Sequence, residues 1–227
     1  MADGIGSEDK SLRPPGQVVR RFSFQHVETD CEVAQCFNIL HELSDRLAVP
    51  GLRIPYDELI AAILPNAAAP VQPGPAKWLP KVQRKLPQAF RIRARSDVDR
   101  ARWPLVQAVL RNPDTSYPII GVSSEYWAQV TTKGDNYRGL DHDLILMQSD
   151  RITSVVFDSF ASKLAGRGIF KARAKKGSST PARGVIQIPT PRLVTLWEQA
   201  KTGKYVIWIE RAAGGGTQLD LDREWKS

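Results

Sequence analysis

The chain has 227 residues, 42% of them hydrophobic, with 16 glycines, 16 prolines and a formal net charge of +8. That length can bury the core of one compact domain, and the composition excludes a low-complexity disordered chain. No stretch reaches the roughly 18 uncharged apolar residues of a membrane span, and the N-terminal residues have no basic stretch followed by an apolar one. The expectation is therefore a cytoplasmic protein, or one delivered by a specialised secretion system without a cleaved signal peptide.

Residues 1–16 read as a flexible tail, and QVVRRFSF after them as a short strand or extended segment. From Cys31 to about Leu47 the apolar residues Val33, Cys36, Phe37, Leu40, Leu43 and Leu47 recur at three- and four-residue steps, which predicts an amphipathic helix. Asp30 stands in the N-cap position. A second helix is predicted over Tyr56 to Leu64, introduced by Pro55 and ended before Pro65. Residues 65–87, rich in Ala, Pro and Gly, read as an irregular connection, and Val98 to Leu110 as a helix stopped by Asn112 and Pro113.

The second half changes character. TSYPIIGVS, HDLILM, SVVFDSF, GVIQIP and KYVIWIER are short β-branched or aromatic runs bounded by turn residues, as strands are. One helix, Pro191 to Ala200, interrupts them and is closed by Gly203. Helices followed by an antiparallel set of strands predict an α+β domain of two lobes over residues 17–211, with a mobile tail at 212–227.

No acidic residue occurs between Ser159 and Trp197, while Lys163, Arg167, Lys171, Arg173, Lys175, Lys176, Arg183 and Arg192 do. The stretch Lys163 to Arg183 reads either as a solvated surface insertion or as a patch for an acidic partner, nucleic acid or anionic lipid.

Only two cysteines are present, Cys31 and Cys36, and on one helix their side chains point about 140° apart, so they do not pair. With histidines only at 26, 41 and 142, no zinc-type spacing exists, and neither a metal nor a cofactor is expected. A thiol becomes a nucleophile as thiolate, which a helix N-terminus and a neighbouring imidazole favour. Cys31 opens the clearest helix of the chain, whereas Cys36 reads as a small core residue. Gln25 can offer an amide to an oxyanion, His142 begins a strand and can act as base, and Asp158 ends the next strand and can orient it. Tyr126 and Trp127 read as cleft-lining or core residues. His41, about 15 Å along the helix from Cys31, reads as a polar-face residue.

The segment Gln25-His-Val-Glu-Thr-Asp-Cys31 with its helix, then YPIIGVS, then Asp141-His142-Asp143 leading an apolar strand, then VVFDS, resembles the papain-like fold. It is most similar to the bacteriocin-processing cysteine peptidases that cut after double-glycine leaders. The resemblance implies an oxyanion-hole role for Gln25, the nucleophile for Cys31, the base for His142 and the orienting carboxylate for Asp158. It implies a cysteine peptidase or related thiol acyl-transfer enzyme acting on a protein or peptide, of the kind found among bacterial effectors and toxins. Glu32 and Asp141 stand where that family commonly has glycine, and Ser159 where it has proline. Acidic groups there raise the thiol's pKa unless they point away. The alternative is a catalytically silent module on the same fold that holds nucleic acid or an acidic protein through the basic stretch.

Overall fold

The computed structural model describes Lys10 and residues 22–23, 30–64, 74–96, 99–130, 140–160, 171–174, 181–202 and 204–212, with the backbone alone at 171–174 and 181–183. Gln25, most of the basic stretch and residues 213–227 lie outside the described residues.

Helix α1 (Cys31–Leu47) turns Val33, Cys36, Ile39, Leu40 and Leu43 inward, all without solvent exposure. It ends at Ala48, whose left-handed backbone (φ 53°) returns its N–H to the Ser44 carbonyl. Asp30 does not cap it through its side chain: the carboxylate instead accepts from the Tyr56 hydroxyl at 2.7 Å. That bond ties the start of α1 to α2 (Tyr56–Ile63), which follows Pro55. A further helix, α3 (Pro75–Gln83), forms inside the stretch read as irregular. Pro75 falls in its first turn, where the missing N–H costs nothing, and Pro80 interrupts a helix only nine residues long. What holds α3 is burial of Trp78 and Val82, four residues apart on one face.

Seven strands form one antiparallel sheet in the order β1-β7-β2-β3-β4-β6-β5. They are β1 (Phe90–Arg95), β2 (Ile119–Val122), β3 (His142–Ser149), β4 (Thr153–Phe157), β5 (Lys171–Ala174), β6 (Pro181–Pro189) and β7 (Val206–Arg211). Strand β1 was not legible because arginines at 91, 93 and 95 dominate it; Phe90 and Ile92 are its buried members. A charged outer strand suits a sheet edge, where it discourages pairing with another chain. The first half of the chain is mainly helical and contributes one strand, β1, which joins the sheet of the second half by pairing with β7.

The helix expected over Val98 to Leu110 begins later. Asp99 caps a 3₁₀ turn (Arg100–Arg102), and α4 (Trp103–Arg111) follows with Pro104 in its first turn. The short α5 (Glu125–Val130) leaves β2, and α6 (Thr190–Glu198) leaves β6. Trp103 of α4 and Trp197 of α6 meet edge to face with ring centroids 5.3 Å apart. The fold is thus α+β around one continuous core, and no helix among the described residues is long and apolar enough to cross a membrane.

Lys10, inside the stretch read as a flexible tail, is completely buried. Its ammonium donates toward the carbonyls of Val109 (3.1 Å), Asn112 (2.8 Å), Thr115 (2.6 Å) and Ser116 (2.8 Å) and toward the Thr115 hydroxyl (2.5 Å). These oxygens include the open carbonyl end of α4, where a cation also meets the helix dipole. Arg46, paired with Glu42 at 2.8 Å, grips the same turn through the carbonyls of Pro113 and Thr115. Lys10→Met leaves a buried set of carbonyls without its donor. It should cost about 2–3 kcal/mol, read as a lower urea midpoint with an unchanged slope.

Candidate active site

Strand β3 begins His142, Asp143, Leu144, and successive side chains on a strand leave opposite faces. Two polar clusters follow from that alternation, one on each face.

The first belongs to His142. Its Nε2 lies 2.8 Å from Asp158 Oδ1, just past the end of β4. Asp158 Oδ2 accepts from the Tyr126 hydroxyl at 2.7 Å, and Oδ1 also accepts from the Phe160 backbone N–H at 2.8 Å. A carboxylate with three donors is a well-satisfied buried acceptor, which orients the imidazole through Nε2 and leaves Nδ1 as its other nitrogen. The ring is walled by Trp127 at 4.3 Å between centroids and by Tyr126, stacked at 5.7 Å. Tyr126 and Trp127 are therefore buried walls of this cluster. Asp158 is positioned by Gly184 on β6, whose carbonyl accepts the Asp158 N–H at 2.8 Å. Gly184 has φ +77°, and a Cβ there would lie 2.6 Å from the Phe157 ring, so only glycine fits.

The second cluster belongs to Asp143, on the face that α1 covers. The Cys31 thiol, at the N-terminus of α1, donates to Asp143 Oδ2 at 3.6 Å, within range for a sulfur donor. Tyr205, just before β7, places its hydroxyl 2.6 Å from Asp143 Oδ1 and 2.8 Å from Glu32 Oε1. Gln35, one turn into α1, donates to the Asp143 carbonyl at 2.8 Å and to the Ser159 hydroxyl at 3.3 Å. Glu32 Oε2 and Gln35 Oε1 are buried without a hydrogen-bond partner. The Trp78 indole faces Glu32 closely enough to favour its charge, but short of hydrogen-bond geometry.

Burial dominates the electrostatics of this face. It pushes Asp143 up to about 6, against the pull of the Tyr205 hydroxyl, His142 and the thiol. Burial, followed by the charge of Asp143, pushes Glu32 well above the usual carboxylate range. Cys31 keeps some exposure as a residue, yet its sulfur sits among buried groups. Burial, then Asp143, then Glu32 raise its pKa well above that of a free thiol.

Of the four residues singled out in the sequence, His142 and Asp158 meet directly. Cys31 meets Asp143, the chain neighbour of His142, and no hydrogen bond joins Cys31 to His142 among the described residues. Gln25 lies outside the described residues. Of the two acidic residues standing where glycine is common, Glu32 faces the thiol's cluster, while Asp141 turns to the Thr202 N–H and hydroxyl. Cys36 is buried in the core, without a disulfide. Among the described residues no group of three or more His, Cys, Asp or Glu is placed to hold a metal. Asp143, Tyr205 and Gln35 were not singled out. The doublet His142-Asp143 was the available signal, since neighbours on a strand cannot serve the same face.

No family model matches the chain, and no curated protein matches its sequence.

Two measurements check this geometry. Tyr126→Phe removes a donor from a buried carboxylate and should lower stability by about 1.5–3 kcal/mol. For Asp143, a native value of about 6 against an ordinary 3.8 means that the folded state binds the proton more tightly. Stability then falls as pH rises from about 4 to 6 and levels off above, by roughly 3 kcal/mol from this residue. Asp143→Asn should remove that slope, so urea unfolding at pH 4 and pH 7.5 should show the variant gaining on wild type by that amount.

Proposed function

We propose that the protein is a thiol acyl-transfer enzyme of papain-like, two-lobe architecture, a cysteine peptidase or a relative that attacks side-chain amides. The observation that carries this reading is the pairing of His142 Nε2 with Asp158 at 2.8 Å on the first residue of β3, with the thiol of Cys31 delivered from a helix N-terminus to the very next residue. A buried, carboxylate-oriented imidazole one residue from a thiol is the element set that nucleophilic catalysis needs.

In the reaction, the Cys31 proton passes to His142 Nδ1, the nitrogen that Asp158 leaves open. The sulfur forms a bond to the substrate carbonyl carbon, and the carbonyl electrons move to oxygen as an oxyanion. The Cys31 backbone N–H and the Gln25 amide are the donors assigned to that oxyanion. As the oxyanion collapses, the carbon–nitrogen bond breaks and His142 gives its proton to the leaving amine. Water, deprotonated by His142, then adds to the thioester carbon; the carbon–sulfur bond breaks, the acid leaves, and His142 returns the proton to the Cys31 sulfur. The thiol must leave Asp143 before the first step.

That last requirement favours a second reading, in which the architecture is kept without the chemistry and serves as a binding module, with the basic stretch Lys163 to Arg183 as its contact for nucleic acid or an acidic protein. A peptidyl epoxide or vinyl sulfone probe separates the two. On the enzyme reading it modifies Cys31 and not Cys36, and modification drops at least tenfold in His142→Gln and Asp158→Asn. Modification of Cys31 that is absent, or indifferent to His142, would sink the enzyme and leave the module. Polyanion affinity that falls steeply with salt and survives Cys31→Ala would then support it.

A further inference from the structure

The Tyr205 hydroxyl has one proton and two carboxyl oxygens against it, Asp143 Oδ1 at 2.6 Å and Glu32 Oε1 at 2.8 Å. Two short O···O contacts need two protons, and a carboxylate has none to offer, so one of the two carboxyls is protonated. Asp143 is already the acceptor of the Cys31 thiol through its other oxygen, Oδ2. A proton on Asp143 Oδ1 would reverse the chain, Asp143 donating to Tyr205 and Tyr205 to Glu32, and would leave a charged Glu32 with its Oε2 buried and without a partner. With the proton on Glu32, the unpartnered oxygen belongs to a neutral acid and both oxygens of the charged Asp143 are hydrogen-bonded: the Glu32 carboxyl donates to Tyr205, Tyr205 donates to Asp143, and Cys31 donates to Asp143 from the other side. Burial and the charge of Asp143 keep Glu32 protonated well beyond the ordinary range, in agreement with that direction.

We propose that Asp143 is a latch on Cys31, a positioning residue that holds the thiol in its protonated form, with Tyr205 and Glu32 as a neutral relay that keeps the negative charge on Asp143. The groups facing Asp143 are Cys31 and Glu32 from α1, Tyr205 from the approach to β7, and His142 and Asp141 beside it in the chain. Of these, only the neighbouring His142 offers a positive charge, and its side chain leaves the other face of β3. A negative charge 3.6 Å from the sulfur opposes the thiolate directly. Opening the latch therefore means protonating Asp143 or drawing its carboxylate onto another donor, and a substrate that presents an amide or ammonium group to Asp143 would do the latter. The latch bears on catalysis only under the reading above, but its effect on the thiol can be measured without turnover.

The experiment is the rate of Cys31 alkylation by iodoacetamide against pH, followed at that residue by mass spectrometry. Asp143→Asn should lower the pH midpoint of Cys31 by at least one unit and raise its rate at pH 7 about tenfold. Glu32→Gln, which replaces a protonated carboxyl with an amide donor of the same shape, should leave the midpoint where it is. An unchanged or higher midpoint in Asp143→Asn overturns the latch. A fall in Glu32→Gln as large as that in Asp143→Asn overturns the placement of the proton. The S–H infrared band of the wild-type protein gives the same information without a variant: the Cys31 band should sit at low frequency, as for a thiol bonded to a carboxylate, and move up as Asp143 is protonated below about pH 6. A Cys31 band that stays still through that range overturns the latch as well. Probe modification tests His142 and iodoacetamide tests Asp143, so either idea can fail alone.

Discussion

The period-two alternation of β3 is the constraint on which the rest of the site depends. Because His142 and Asp143 are consecutive on a strand, one must face each way. The structure builds a separate buried cluster for each: Asp158, Tyr126 and Trp127 around His142, and Cys31, Tyr205, Glu32 and Gln35 around Asp143. The two clusters approach each other at the start of β3 and again through Gln35, which reaches Ser159 beside Asp158. A thiol at the start of α1 can therefore be within one residue of an imidazole and still be bonded to a carboxylate.

The two clusters differ in how well they are satisfied. Asp158 has three donors and needs no further proton, so it serves well as a fixed orienting group. The Asp143 side has too few protons for its oxygens and keeps two unpartnered buried atoms, Glu32 Oε2 and Gln35 Oε1. Buried polar networks that are only partly satisfied cost stability, and proteins keep them where function needs a poised group. In this molecule the poised group is the one in contact with the only partly exposed thiol.

Much of the fold was legible because it rests on periodicity. The stripe Val33, Cys36, Leu40, Leu43 set α1, and five β-branched runs set five strands close to their observed bounds. What was missed is where local signals point the wrong way. Pro75 and Pro80 disguise α3, whose helix is held by tertiary burial of Trp78, and alternating arginines disguise β1, which is apolar at Phe90 and Ile92. The anchor at Lys10 could not be read at all, since a lysine in a polar leader gives no sign that carbonyls from α4 will surround it. Types and order of residues pointed to His142 and Asp158, but which face a thiol meets is a property of the sheet.

The carboxylate at 143 also changes how Glu32 should be understood. Read along the chain, an acid after the cysteine is a second negative charge beside a thiolate. In the fold it is the far end of a relay, and a protonated Glu32 brings hydrogen-bonding capacity without charge. The cluster then contains one full negative charge, on Asp143, facing one thiol proton. Burial of that charge destabilises the fold at neutral pH, and a residue kept at that cost beside a helix-borne thiol controls the thiol's proton more directly than it holds the sheet together.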